Sequence, residues 1–236
     1  MKTILLNAIL CLLAFSPAFS AGPIVHFHAA DGEAAVVVQL ANLEQARTEI
    51  FLKTIDGRLQ YSDFISGENG YSLRLAMEGM EEGTYILGVS NKAARELKAF
   101  TFYAGRAHFF EGQGRGVSRN GLSRNVSQPL GRKGQVLANI SASGEGALIN
   151  VRLSNLNSEP VQTRITSLTG LNWHQEVKEA HNGFSRNYIT KGLPDGAYYL
   201  FLKAGATRIL QFFDVEDGQV VLGDLQRAEA PEGSRS

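Results

Sequence analysis

Trp173-His174 is the pair of side chains in this chain best suited to hold a ligand. Trp173 is the only tryptophan, and an indole laid open on a β-sheet can stack against a sugar ring while its N–H finds a hydroxyl. Register decides whether it is open. Strict alternation after the turn at Gly170 puts Leu171 and Trp173 on one face and exposes the indole; a one-residue bulge near Gly57 or Gly170 would instead turn it into the core. His174 stands beside it as a second candidate ligand-binding residue.

His26-Phe27-His28 offers two imidazoles on one strand face, which is one way to begin a metal site. No third ligand follows at a matching spacing, and His108 and His181 are scattered, so no metal is expected. Catalytic signatures are missing as well: the chain has no Gly-x-Ser-x-Gly elbow, His-Glu-x-x-His or P-loop. Most of its acidic residues, among them Asp56, Glu81-Glu82, Asp195 and Asp217, fall in turns, where short carboxylates serve turn formation. The expectation is a protein that is not an enzyme and carries no cofactor.

The elements that position these residues are set by an internal repeat. Residues 24–110 align with 137–223 at a constant offset of 113 and without a gap. Asn42-Leu43 returns as Asn155-Leu156, Gly57 as Gly170, Gly83 as Gly196, Tyr85 as Tyr198, and Arg95-x-Leu97-x-x-Phe100 as Arg208-x-Leu210-x-x-Phe213. Glycines and apolar positions dominate what is shared, so the copies share a scaffold. At this offset Trp173 faces Gln60 and His174 faces Tyr61, so neither is a scaffold requirement.

Within each copy the pattern is β: residues 35–41, 49–55, 71–76, 84–90 and 97–102 read as strands between Gly, Asn and Asp clusters. Asp56-Gly57 and Thr169-Gly170 mark hairpin turns. Residues 91–99 have a helix-compatible composition, but their counterpart, beginning Ala204-Gly205-Ala206-Thr207, is strand-like, and two copies of one fold should agree. The fold class is therefore all-β, with two tandem immunoglobulin-like antiparallel sandwiches of seven or eight strands each, joined by a Gly/Arg-rich linker.

Leu193-Pro194-Asp195-Gly196-Ala197-Tyr198-Tyr199-Leu200, mirrored by Met80-Glu81-Glu82-Gly83-Thr84-Tyr85-Ile86-Leu87, reads as a tyrosine corner, in which a phenol at the start of a late strand bonds back to nearby backbone. With Leu168-Thr169-Gly170, Ile55-Asp56-Gly57 and the apolar run to Val215, the pattern resembles the C-terminal sorting domains of the Bacteroidetes type IX secretion system. That resemblance implies small β-sandwiches and a place in a secretion route. Two departures stand out: the chain continues past Val215 to Ser236, and the module occurs twice with no catalytic cargo ahead of it.

The flanking segments bound the compartment. Lys2, the apolar run 4–15 and Ala18-Phe19-Ser20 read as a signal peptide over residues 1–20. Cys11, the only cysteine, would leave with it, so neither disulfide nor thiolate remains. No later run is long and apolar enough to span a membrane as a helix. Residues 111–135 carry Arg115, Arg119, Arg124, Arg132 and Lys133 among six glycines and read as a flexible linker. Residues 224–236 read as a disordered tail. Module one is thus 24–110 and module two 136–223. With no net charge, the chain is unsuited to nucleic acid. The expectation is an exported, non-catalytic protein of the periplasm, outer surface or extracellular space. Its role would be interaction, adhesion or envelope structure, with an envelope or extracellular protein or a glycan as partner. The alternatives are a secreted carbohydrate-binding module and a passenger or adaptor of type IX secretion.

Overall fold

A computed structural model describes residues 22–112, 117–118, 135–143 and 147–230; the leader and much of the expected linker lie outside them. The first copy contributes β1 (Ile24–Ala29), β2 (Ala35–Ala41), β3 (Thr48–Thr54), β4 (Leu59–Ile65), β5 (Gly70–Ala76), β6 (Gly83–Ser90), β7 (Ala94–Tyr103) and β8 (Arg106–Phe109). Two short strands follow, β9 (Glu111–Gly112) and β10 (Val117–Ser118). The second copy contributes β11 (Leu137–Ala142), β12 (Leu148–Ser154), β13 (Val161–Ser167), β14 (Asn172–Lys178), β15 (Gly183–Ile189), β16 (Gly196–Ala204), β17 (Thr207–Glu216) and β18 (Gln219–Glu229).

Each copy folds as a small sheet on a large one, every ladder antiparallel. The small sheets run β1-β2-β5 and β11-β12-β15; the large ones run β10-β7-β6-β3-β4, with β8 also on β7, and β14-β13-β16-β17-β18-β9. Residues 94–103 are strand, as the second copy indicated, and the described residues contain no helix. Alternate side chains fill each sandwich: Val36, Leu87 and Phe100 in one core, Val151, Leu200 and Phe213 in the other. Both tyrosine corners form. The Tyr85 hydroxyl donates to the Glu81 carbonyl at 2.6 Å and Tyr198 to Pro194 at 2.7 Å, while their rings stack on Phe100 and Phe213 at 5.5 and 5.4 Å.

The two sandwiches pack back to back through their large sheets. Ile86, Ala99, Phe110, Tyr199, Phe201, Leu210 and Phe212 form a third apolar cluster on faces that a lone sandwich would leave to water. The contact is nearly two-fold. Gly57 meets its own counterpart Gly170; Tyr199 donates to the Ile55 carbonyl at 2.8 Å, and Lys53 donates to the carbonyl of Leu168, the counterpart of Ile55. One chain thereby builds the self-complementary type of contact that homodimers use.

The strand that closes each copy breaks this symmetry. In the second copy β18 pairs along nearly all of β17. In the first, β8 leaves β7 after Phe109, Phe110 enters the interface, and β9 pairs with β18. The uncovered stretch of β7 is completed from the other copy: the Gln226 side-chain amide accepts from Ala99 N at 2.9 Å and donates to Leu97 O at 2.8 Å, as a neighbouring backbone would. Without it, a buried N–H and C=O would go unpaired.

Two expectations change here. The tail expected to be disordered from residue 224 is strand through Glu229, with Leu225, Gln226 and Arg227 buried; 231–236 lie outside the described residues. A register shift opposite Gln211 and Phe213 interrupts the period-two pattern around Gly223-Asp224, and this hid the strand from an alternation count. The Gln211 side chain fills the irregularity by donating to the Gly223 carbonyl at 2.9 Å. The linker expectation falls mostly on residues outside the description, but its first two residues, Glu111–Gly112, are strand on β18.

Candidate functional site

The candidate residues sit on the β13–β14 hairpin, at the edge of the second large sheet. Its turn is closed by Gly170 N to Ser167 O at 2.9 Å, with Ser167 Oγ also accepting from Leu171 N at 3.0 Å. Gly170 takes φ +97°, a conformation that side chains with a Cβ disfavour. Just beyond the turn the ladder shifts by one residue, because Thr166 pairs with Asn172 and Ile165 with His174. Trp173 is the extra residue of that bulge. The first copy bulges at the same place, where Leu52 pairs with Tyr61 and Lys53 with Leu59, leaving Gln60 over.

Both sequence alternatives therefore hold in part. The bulge exists, yet Trp173 is 42% exposed and belongs to none of the apolar clusters. What the bulge turns inward is His174. Adjacent strand residues point to opposite faces, so the Trp173-His174 pair does not converge on one ligand.

On the inner side, the His174 ring meets Tyr188 edge-on at 5.2 Å, and its Nε2 lies 3.6 Å from Glu176 Oε1. Arg186 donates to Glu176 at 3.3 Å, and the Tyr188 hydroxyl is 3.0 Å from both Thr163 Oγ1 and Glu176 Oε1. Burial pushes the Tyr188 phenol well above its ordinary range. Burial also works to raise the Glu176 carboxyl, but the Arg186 and Tyr188 hydrogen bonds and the Arg186 charge hold it below its usual value. This network ties β14 to β15 across the open side of the sandwich. Glu176, Arg186, Tyr188 and Thr163 are hydrogen-bonded to one another, while the buried His174 Nε2, 3.6 Å from Glu176 Oε1, makes no hydrogen bond.

The outer side differs. Trp173, Gln175 and Val177 alternate outward and are all exposed, Val177 at 62%; Leu171 beside the turn is 61% exposed. Gln162, Arg164 and Thr166 lie on the same face of β13, with Arg164 opposite Gln175 in register. On their other side Arg164 and Thr166 pair with Phe201 and Tyr199 of the cluster between the copies and Thr166 is fully buried, so at these two positions the face is open only toward β14. Asn172 Nδ2 donates to Gln175 Oε1 at 3.2 Å and orients that amide. Arg164 is half-buried, and its Nε, shut off from water, has no hydrogen-bond partner. No carboxylate lies within ion-pair distance of Arg164 among the described residues. In the first copy this position is Phe51, packed over Gly88. In the second, Phe201 stands where Gly88 does, and Arg164 replaces the phenylalanine. Sequence reasoning passed over Arg164 and Gln175; a cation standing at the offset of a core-type phenylalanine was the available signal.

Other candidates are weaker. His26 and His28 are exposed on the outer face of the first small sheet, opposite Gln39 and Val37. The described residues hold no cluster of three metal-ligating side chains. A shallow cleft in the seam between the copies includes Arg95 and Asp214, but these two charges pair with each other.

No protein-family model matches the chain, and no curated protein matches it. Among solved structures it is similar to the BSP domain of a biofilm-associated protein (13% identity, TM-score 0.24, covering 87% of this chain and 29% of that one). It is also similar to the human OSCAR ligand-binding domain (11% identity, TM-score 0.20, covering 88% and 95%). A third is native alpha-2-macroglobulin from Escherichia coli spanning domains NIE-MG1 (14% identity, TM-score 0.23, covering 88% and 99%). The chain thus spans less than a third of the biofilm-associated chain. At such scores function has to be argued from this chain's own surface.

Proposed function

We propose that this is an exported, non-catalytic protein that acts by binding a partner through the outer face of β13–β14, in the periplasm or at the cell surface. One observation carries the reading: an exposed tryptophan at a bulge the fold makes in both copies, where the other copy has glutamine. A structural bulge needs an extra residue but not an indole, so the ring's apolar area is exposed without a packing reason. Export rests on the basic, apolar and small-residue order of residues 1–20. A non-catalytic role rests on the missing motifs.

A glycan is the partner best suited to the geometry, because a sugar ring stacks on an indole while amide side chains such as Gln175 bond its hydroxyls. The test is thermal unfolding of the purified protein against glycans and divalent metals, with Trp173→Ala alongside. A ligand near 100 times its dissociation constant adds about 2.7 kcal/mol, enough for a shift of several degrees. The expected result is a glycan shift that disappears in Trp173→Ala while the unliganded variant unfolds near the wild-type temperature. A Trp173→Ala protein that is strongly destabilised without ligand would assign the residue to packing and remove the reading.

A further inference from the structure

The face around Trp173 carries information about the charge of what it binds. Arg164 stands beside the indole's strand, opposite Gln175, with no carboxylate partner and with a desolvated Nε that bonds to nothing. A guanidinium partly withdrawn from water without an anion is in an unfavourable state, and an incoming carboxylate gains more there than at a fully hydrated arginine. The fold does not need it, since the first copy holds the apolar Phe51 at that place. Glu176, the nearest acid along β14, turns inward and is held by Arg186 and Tyr188.

We infer that the β13–β14 face recognises an acidic glycan, the pyranose ring of a uronic-acid residue lying on Trp173 and its carboxylate meeting the Arg164 guanidinium. This rests on the partner-binding reading above and adds the ligand's charge. The planar guanidinium fork matches a carboxylate in a way lysine does not, while Val177, exposed on the same face, supplies an apolar border for the sugar's C–H edges. Gln175, oriented by Asn172, keeps its amide N–H groups for ring hydroxyls.

The test uses oligogalacturonate and the same oligosaccharide with its carboxylates reduced to alcohols. Binding is followed by Trp173 emission in the wild type and by calorimetry in the variants. The expected result is at least tenfold tighter binding of the acidic form in low salt, with the preference shrinking as salt rises. Arg164→Gln should abolish the preference and leave the weaker neutral binding, and Trp173→Ala should abolish both. Equal binding of the two sugars overturns the acidic specificity and leaves a glycan site at Trp173. Binding of neither overturns the glycan inference. Acidic binding that survives Trp173→Ala places the ligand elsewhere and removes the partner-binding reading too. Arg164→Lys separates charge from geometry: the fork argument requires it to bind the acidic sugar more weakly than wild type, and full retention would reduce the contact to simple charge attraction.

Discussion

Gly57 and Gly170 occupy the same place in the two copies and touch each other. A methyl group added to Gly57 would come 2.5 Å from the Gly170 Cα, and one added to Gly170 would come 2.9 Å from the Gly57 carbonyl oxygen. Both also hold positive φ, +89° and +97°. Each glycine is therefore required twice, once by its own hairpin turn and once by its counterpart's backbone. The first requirement was visible in the Asp56-Gly57 and Thr169-Gly170 dipeptides; the second arises only when the copies meet.

Alanine at either position should cost more than alanine at Gly32 or Gly218, where φ is +71° and +72° but nothing lies within 4 Å of the added methyl. The two controls should lose about 1–2 kcal/mol from backbone strain alone. Gly57→Ala and Gly170→Ala should lose roughly 1–3 kcal/mol more, in the range of overpacking, and the double variant should fall short of additivity because each relieves the other's reason for the close approach. Denaturant unfolding of the four single variants and the double checks this. Equal losses at all four positions would mean that the copies do not pack at this point.

Gln226→Ala should expose the place where one copy completes the other's sheet. It leaves Ala99 N–H and Leu97 C=O without partners in a buried seam, a cost of about 1–3 kcal/mol for each group. Amide exchange at Ala99 should quicken selectively, with the Tyr85 and Tyr198 corners unaffected. Unchanged protection at Ala99 would show that another group, or water, already satisfies it.

Tyr85→Phe and Tyr198→Phe should behave alike, each losing about 0.5–1.5 kcal/mol for one hydroxyl-to-carbonyl bond while keeping ring stacking. Unfolding measured on the two variants tests whether the repeat carries equivalent energetics as well as equivalent geometry.

The Glu176 network makes stability depend on acid in a stated direction. A carboxyl held below its ordinary value in the folded protein contributes stability at pH above the unfolded value, near 4.3, and that contribution is lost as pH falls through the folded value. Glu176→Gln should therefore flatten part of the loss of stability below roughly pH 4, with little change in slope above it. An unchanged acid limb in Glu176→Gln would show that other carboxylates set it.

Much of the fold was legible because it is written twice. The strand at Ala94–Tyr103, the two hairpin turns and the tyrosine corners follow from dipeptides and from agreement between copies. What local pattern could not show depends on relations between the copies or on broken register. Phe110 and Gln226 look ordinary in sequence and become interface residues only because β8 departs from β7. β18 was hidden by an irregularity at Gly223-Asp224, and Trp173 sits at another, so an alternation count could pose its exposure as a question without deciding it. Arg164 escaped because a lone arginine on a strand usually means a solvated face; its meaning comes from what it lacks.

The most direct measurement of the central claim is acrylamide quenching of Trp173 emission, with and without a glycan that shifts the unfolding temperature. As the only tryptophan, Trp173 reports on itself. The account predicts ready quenching and a red-shifted maximum in the free protein, and protection with a blue shift when the glycan is bound. A blue, poorly quenched emission in the free protein would place the indole in the core, and quenching unaltered by a stabilising glycan would place the binding site elsewhere.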